Sequence, residues 1–287
     1  MRLSIITINK NNVHDLSKTL ESVASQTCKD FEHVIIDGES TDNSVDVIKN
    51  YESSLSTLKT PHSIKWISEP DKGIYNAMNK GIRMASGGYV QFLNSGDCLA
   101  DATVVERMLG SLEENNFPSI LYGNMLKVFK DGKILNDKCF AGQDISFLGF
   151  YTGTLNHSSA LIKRSLFEKY GFYDESLRIV SDWKWYLQAI ALGEEMPVYA
   201  DINVTLFDMN GISETNKNLD KIERRKVLEE LIPAAILKDY DDFAFPIDQI
   251  KRLKRHPWAY KVVWFIERCL FKVEKAEIKR GGITQYR

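Results

Sequence analysis

The sequence predicts an α/β protein: a mostly parallel sheet flanked by helices, with a helical C-terminal extension. Three observations carry this. Short apolar, β-branched runs recur through the first hundred residues, segments of helical spacing separate them, and each run ends in an acid or an amide. Strands alternating with helices of about 10–15 residues imply βαβ units, hence a parallel sheet covered on both faces. At 287 residues the chain exceeds a typical single domain. The expected division is an α/β domain over 1–215 and a basic helical extension over 216–287.

Leu3–Ile8 reads as a first strand buried on both faces. Leu16, Leu20 and Val23 recur at helical spacing behind Asn11-Asn12 and predict a helix ending near Gln26. Phe31–Ile36 is the second strand and stops at Asp37. Ser40-Thr41-Asp42-Asn43 supplies N-cap residues for a helix through Val45, Val47 and Ile48. Ile64–Ile67 is a third strand before a polar loop. Ile74, Met78, Ile82 and Ala85 stripe one face of the next helix, Ser86-Gly87-Gly88 stops it, and Tyr89–Leu93 is the fourth strand. Beyond residue 100 the pattern loosens. Ser119–Lys130 reads as strand with a hairpin at Asp131-Gly132. Arg164–Tyr170, Ser181–Leu192 and Ile222–Tyr240 read as helical, and Val198–Val204 as strand. The acidic Asp239–Pro246 is expected to be a joint before the tail.

Charge is unevenly spread. From Lys251 onward eleven basic residues face three acidic ones, so the chain's net −2 divides into +8 in the tail and −10 before it. Four Cys at 28, 98, 139 and 269 show no CxxC spacing, which favours reduced thiols in a cytoplasmic protein. The apolar N-terminal run ends at Asn9-Lys10, too short for a signal peptide, and no run of about 18 apolar residues predicts a membrane span. Neither GxGxxG nor GxxxxGK[ST] follows the first strand, which argues against dinucleotide-binding and P-loop enzymes.

Open parallel sheets bind ligands beyond the carboxyl ends of their strands. Those ends carry Asn9, then Asp37, then Glu69 and Asp71, then Asn94 and Asp97. Any one of them serves as a turn former; the set describes a ligand cleft. Asp97 closes Asn94-Ser95-Gly96-Asp97, and a carboxylate there suits Mg²⁺ or Mn²⁺ shared with phosphates, although the tetrapeptide is also a good turn.

Three segments, Thr7–Asn11, Leu20–Thr27 and Ile35–Ser44, followed by Glu69-Pro70-Asp71-Lys72-Gly73-Ile74-Tyr75-Asn76-Ala77-Met78-Asn79-Lys80-Gly81-Ile82, lie in an order and spacing that resembles the family-two glycosyltransferases. The resemblance implies the GT-A fold, a Rossmann-like sheet, with nucleotide-sugar binding over 1–100 and the acceptor side over 101–215. It implies an inverting transfer from a nucleotide-diphosphate sugar, UDP-linked by preference, with Mn²⁺ or Mg²⁺ as cofactor. On it, Asp37 meets the base, Asp71 and Asn9 line the base pocket, and Glu69 orients the loop. Asn94 through Asp97 stands in place of the family's Asp-X-Asp element. Asn94 and Gly96 replace acids there, leaving Asp97 as the metal carboxylate.

Ile179-Val180-Ser181-Asp182-Trp183-Lys184-Trp185 resembles the acceptor-side acidic motif, which implies Asp182 as the base; read from the residues alone, it is also an acid at a helix start. Trp183 and Trp185 suit sugar stacking and core packing equally. His157, in Asn156-His157-Ser158-Ser159, either binds diphosphate or acceptor or is a hydrogen-bonded wall residue. His14, His33, His62 and His256 share no spacing and receive no chemistry.

Residues 250–273 interleave Lys and Arg with Trp258, Tyr260, Trp264, Phe265 and Phe271, as interfacial binding to anionic lipid requires. Packing on the domain or within a homodimer is the alternative, and the −10 body disfavours nucleic acid. The expected protein is cytoplasmic, peripheral to the inner face of the membrane, and glycosylates a surface glycan or lipid-linked acceptor. A non-catalytic nucleotide-sugar-binding protein and a sugar nucleotidyltransferase are the competing readings; the second would need a Gly-rich basic loop where Asn9-Lys10-Asn11-Asn12 stands.

Overall fold

The computed structural model describes residues 2–57, 61–143, 145–208 and 217–279. Four parallel strands start the sheet: β1 (Leu3–Asn9), β2 (Phe31–Asp37), β3 (Ser63–Ser68) and β4 (Tyr89–Phe92), in spatial order β3-β2-β1-β4. All seven residues of β1 and of β2 are buried, as a two-sided strand demands. Each fully buried aliphatic side chain among them, such as Ile5, Ile6 and Ile35, contributes about 1.5–3 kcal/mol.

Helices α1 (Val13–Ala24) and α2 (Ser44–Ser56) bury Leu16, Leu20, Ile48 and Leu55 with Ile35. In a second core cluster, α4 (Val104–Glu114) packs Val105, Met108 and Leu112 with Leu3, Ile5 and Leu161. Between these, α3 (Ile74–Met84) packs on β1 and β2 and buries Met78 and Ile82, as its stripe predicts. The sheet is therefore the mixed α/β architecture expected.

The second half of the sheet continues from β4 through antiparallel pairings. β4 pairs with β8 (Ala160–Lys163), and β8 with β6 (Ile120–Val128). β9 (Val198–Asp208) then runs parallel to β6, the short β5 (Cys98–Leu99) lies at the edge, and β7 (Ile134–Asp137) folds back on β6 through the Asp131-Gly132 turn. Three short helices complete this side: α5 (Phe147–Thr152), α6 (Leu166–Tyr170) and α7 (Ser181–Tyr186), the last extended by π-helical turns through Leu192.

The chain divides into two compact units, 1–231 and 232–287. The first ends with helix α8 (Lys217–Leu231); the second holds α9 (Ala234–Lys254) and α10 (Pro257–Lys279). One expectation is corrected here. Asp239–Pro246 is not a joint, because α9 runs through Pro246, whose missing N–H falls on an exposed position. The break lies instead at Pro233, whose φ of −54° suits a helix start. No helix among the described residues is long and apolar enough to cross a membrane. Cys28, Cys98, Cys139 and Cys269 are free thiols.

Candidate functional site

The strand order places the sheet's switch point between β1 and β4, so a crevice opens beyond Asn9 and Asn94. A cavity of about 870 Å³ lies there, within the size range of small-molecule sites. Asn9, Asp71, Asn94, Asp97, His157, Asp182 and Trp183 all line it, although they come from segments spread over 170 residues. Asp37 does not line it.

Register explains the setting of Asp37. Asn9 pairs with Asp37 across β1 and β2, and Asp37 with Ser68 across β2 and β3. The Asn9 amide accordingly donates to Asp37 Oδ1 at 2.9 Å, and the Ser68 hydroxyl to Oδ2 at 2.7 Å. The Ser40 hydroxyl and backbone N–H complete four bonds at 2.6 and 2.9 Å. Burial opposes the charge, yet these donors hold the Asp37 carboxyl below its ordinary range. Asp37 thus fixes the 38–40 turn from beneath. Gly38 lets Asp71 close on that turn, since a Cβ there would stand 2.1 Å from Asp71 Oδ2. Lys80 binds Glu69 at 2.8 Å, so Glu69 holds the loop rather than the cavity wall.

At the end of β4 the chain turns through Gly96, whose φ of +107° is ordinary only for glycine. The turn is tied down by Thr19, whose hydroxyl accepts from Gly96 N–H at 3.0 Å and donates to the Asp97 carbonyl at 2.8 Å. Asp97 is 6% exposed and borders the cavity. No cluster of three or more His, Cys, Asp or Glu among the described residues forms a closed metal cage. The donor set does fit a hard cation shared with a diphosphate: Asp97 supplies the carboxylate, and the buried Asn94 Oδ1 has no partner among the described residues.

On the opposite wall, Asp182 lies in the first turn of α7, where the helix dipole favours a carboxylate. Both of its oxygens are engaged. The Tyr75 hydroxyl donates to Oδ1 at 2.8 Å, and His157 Nδ1 lies 3.2 Å from Oδ2. His157 Nε2 in turn lies 3.4 Å from the Asn94 amide. A line of polar contacts therefore runs from Asp182 through His157 to Asn94 at the end of β4. Burial raises the Asp182 pKa, but the His157 hydrogen bond and charge, with the Tyr75 bond, bring it below the ordinary value. Burial likewise works against the His157 imidazolium, yet Asp182, aided by the charge of Asp97, lifts its pKa above 6.5. Burial and the Asp182 charge push Tyr75 well above its ordinary value, so it stays a neutral donor.

Trp183 and Trp185 are each 1% exposed. Trp183 borders the cavity from within the core, its indole N–H donating to the Phe150 carbonyl at 2.8 Å and its ring 4.5 Å beneath the Arg224 guanidinium. Trp185 stacks on Phe167 at 4.6 Å and does not line the cavity. Sequence reasoning missed Tyr75, which stood in a quoted motif but was read only as helix, and Arg224 and Glu223 on α8, which carry no motif.

Residues 4–171 match the family described as Glycosyl transferase family 2. A "PGL/p-HBAD biosynthesis glycosyltransferase" of Mycobacterium bovis is 27% identical over 222 residues, covering 77% of this chain and 82% of that protein. Among solved structures, S. aureus TarS 1–349 in complex with UDP-GlcNAc superposes with a TM-score of 0.62 at 16% identity, over 82% of this chain and 69% of that one. This chain spans 44% of a longer TarS chain. A mannosyltransferase of Pyrobaculum calidifontis in complex with GDP-Man and Mn²⁺ gives a TM-score of 0.58 at 14% identity, over 96% of this chain and 82% of that one. The fold is the GT-A fold of these neighbours, and the chain belongs to glycosyl transferase family 2.

Proposed function

We propose that this glycosyltransferase inverts the anomeric centre of a UDP-sugar, transferring the sugar to a hydroxyl of a glycan or lipid-linked acceptor. The observation that carries the reading is that Asp182, with both oxygens engaged, faces the same cavity as Asn94–Asp97. The UDP-GlcNAc complex of TarS supports the nucleotide, and the GDP-Man and Mn²⁺ complex of the Pyrobaculum enzyme supports a divalent cation.

In this reading Asn9 and Asp71 line the base end, with Asp37 fixing the turn beneath them. Asn94 meets the ribose–diphosphate segment and Asp97 holds Mn²⁺ or Mg²⁺. Such a cation, when bound, supplies neutralisation of the leaving diphosphate. Asp182 accepts the proton of the acceptor hydroxyl as that oxygen bonds to the anomeric carbon and the carbon–diphosphate bond breaks. His157 and Trp183 form the acceptor-side wall, His157 by orienting Asp182. The tail reading extends this: α10 exposes Trp258, Trp264, Phe265 and Phe271, which with Lys261, Arg268 and Lys272 suit an anionic membrane surface.

A non-catalytic nucleotide-sugar binder is the second reading, favoured by the single carboxylate in 94–97. Thermal shift with UDP-, GDP- and dTDP-sugars, with and without Mn²⁺, tests the donor, because a ligand bound to the folded state alone raises the melting temperature. A rise with UDP-sugars that needs Mn²⁺, followed by slow release of UDP, supports the enzyme. Binding without any release supports the second reading, a response confined to GDP- or dTDP-sugars contradicts the UDP donor, and no response to any of the three contradicts both.

A further inference from the structure

The stretch leading into Asp182 is held by a residue outside the matched family segment. The backbone N–H groups of Arg178, Ile179 and Val180 donate to the Glu223 carboxylate at 2.8, 2.9 and 3.3 Å. Glu223 is 7% exposed and belongs to α8, whereas the family match ends at residue 171. Three consecutive amides converging on one buried carboxylate make a charge-assisted nest, stronger than neutral turn hydrogen bonds.

Two carbonyls of this stretch touch the Asp182 setting. The Ile179 carbonyl lies 2.5 Å from the Tyr75 hydroxyl oxygen, whose single proton is shared between that carbonyl and Asp182 Oδ1. The Val180 carbonyl accepts the first bond of α7 from Lys184 N–H at 2.8 Å. Moving the 178–180 backbone therefore moves Asp182 relative to both Tyr75 and His157.

We propose that Glu223 is a positioning residue for transfer, fixing the entry to α7 so that Asp182 keeps its two partners. The proposal rests on the reading of Asp182 as the base. Without the carboxylate the three amides turn to water and the 178–180 stretch loosens. A glutamine retains one acceptor oxygen, so it restores part of the nest.

The test compares Glu223→Ala, Glu223→Gln, Asp182→Asn and the Glu223→Ala/Asp182→Asn double variant. UDP affinity is measured calorimetrically with Mn²⁺, and turnover with the UDP-sugar that the wild type converts fastest. In Glu223→Ala, kcat should fall about ten- to hundredfold, while UDP affinity and donor KM stay within about twofold. Glu223→Gln should recover part of that loss. On the Asp182→Asn background, Glu223→Ala should cost nothing further, because both act on one group. Wild-type kcat in Glu223→Ala and Glu223→Gln, with Asp182→Asn slowed about a hundredfold or more, overturns the role of Glu223 alone. So does a fall in UDP affinity that matches the fall in kcat, or a full multiplicative loss in the double variant. Wild-type turnover in Asp182→Asn overturns the base reading, and with it the proposal.

Discussion

Tyr75, in the first turn of α3, donates its hydroxyl to Asp182 Oδ1 at 2.8 Å, joining the helix that follows the Asp71 loop to an acid 107 residues further along the chain. The same helix holds the segment that precedes Asp182, since Asn79 exchanges two hydrogen bonds with the Tyr173 backbone at 2.9 and 3.0 Å and binds Glu175 at 2.9 Å. Side-chain hydrogen bonds from α3 thus reach both Asp182 and the 173–175 segment before it.

Removing that hydroxyl is the mildest perturbation of the acid. Tyr75→Phe should lower kcat about tenfold, the loss expected for one hydrogen bond to a charged group, with UDP affinity unchanged. Steady-state kinetics beside calorimetry checks it; an unaltered kcat removes Tyr75 from the site's machinery.

The His157–Asp182 pair gives a pH dependence. Below the raised His157 pKa the imidazolium holds the Asp182 charge and weakens it as a base, so transfer should accelerate as pH rises through that value, above 6.5. The pair's contribution to stability runs the other way: His157 stabilises fully below 6.5 and this is lost as pH rises through its folded pKa. In His157→Gln the rising limb should vanish from the rate profile. A limb that survives the substitution belongs to another group.

Asp97 is the single anionic group of the β4 turn. Asp97→Ala should lower Mn²⁺-dependent UDP affinity about ten- to hundredfold, down to the value measured in chelator. Mn²⁺ titrations at fixed UDP read this directly. Metal dependence that persists unchanged assigns the cation elsewhere.

A buried network predicts acid sensitivity. His62 Nε2, the Tyr51 hydroxyl, His33 and the Thr7 hydroxyl form a chain of neutral groups at 2.7, 3.0 and 2.9 Å, ending on the Leu93 carbonyl at 2.7 Å. Burial pushes His33 down to about 3 and His62 to about 4, so the folded state refuses protons that the unfolded chain accepts below 6.5. Stability should therefore fall as pH drops from 6.5, by about 1.4 kcal/mol per pH unit for each histidine. Urea unfolding at pH 6.5 and 4.5 measures it, and His33→Gln/His62→Gln should flatten the slope. A slope unchanged in that variant places the acid sensitivity elsewhere.

How much of this was legible depends on the range of the interaction. The strands of the first half follow from β-branched runs between helical stripes, and the polar strand ends follow with them, because in-register parallel pairing lines up Asn9, Asp37 and Ser68. Local periodicity says nothing of the antiparallel insertion of β8 between β4 and β6, which brings His157 beside Asn94. It also hides the neutral chain through His33 and His62, since side chains meeting across elements share no spacing. Glu223 was silent for the same reason: a glutamate in a charged helix reads as a solvated face until its three backbone donors are seen. Asp239–Pro246 misled because acids and proline favour turns on average, whereas here the 21-residue helix Ala234–Lys254 runs through Pro246 despite its lost hydrogen bond and the crowding of its ring against the preceding turn.

The central claim is that Asp182 removes the acceptor proton. The most direct measurement is single-turnover sugar transfer by Asp182→Asn beside its UDP affinity in Mn²⁺. The substitution keeps the side chain's size and its Tyr75 and His157 neighbours but removes the base. Transfer should fall by about a hundredfold or more while UDP affinity stays within about twofold of wild type. Transfer at the wild-type rate would contradict the account.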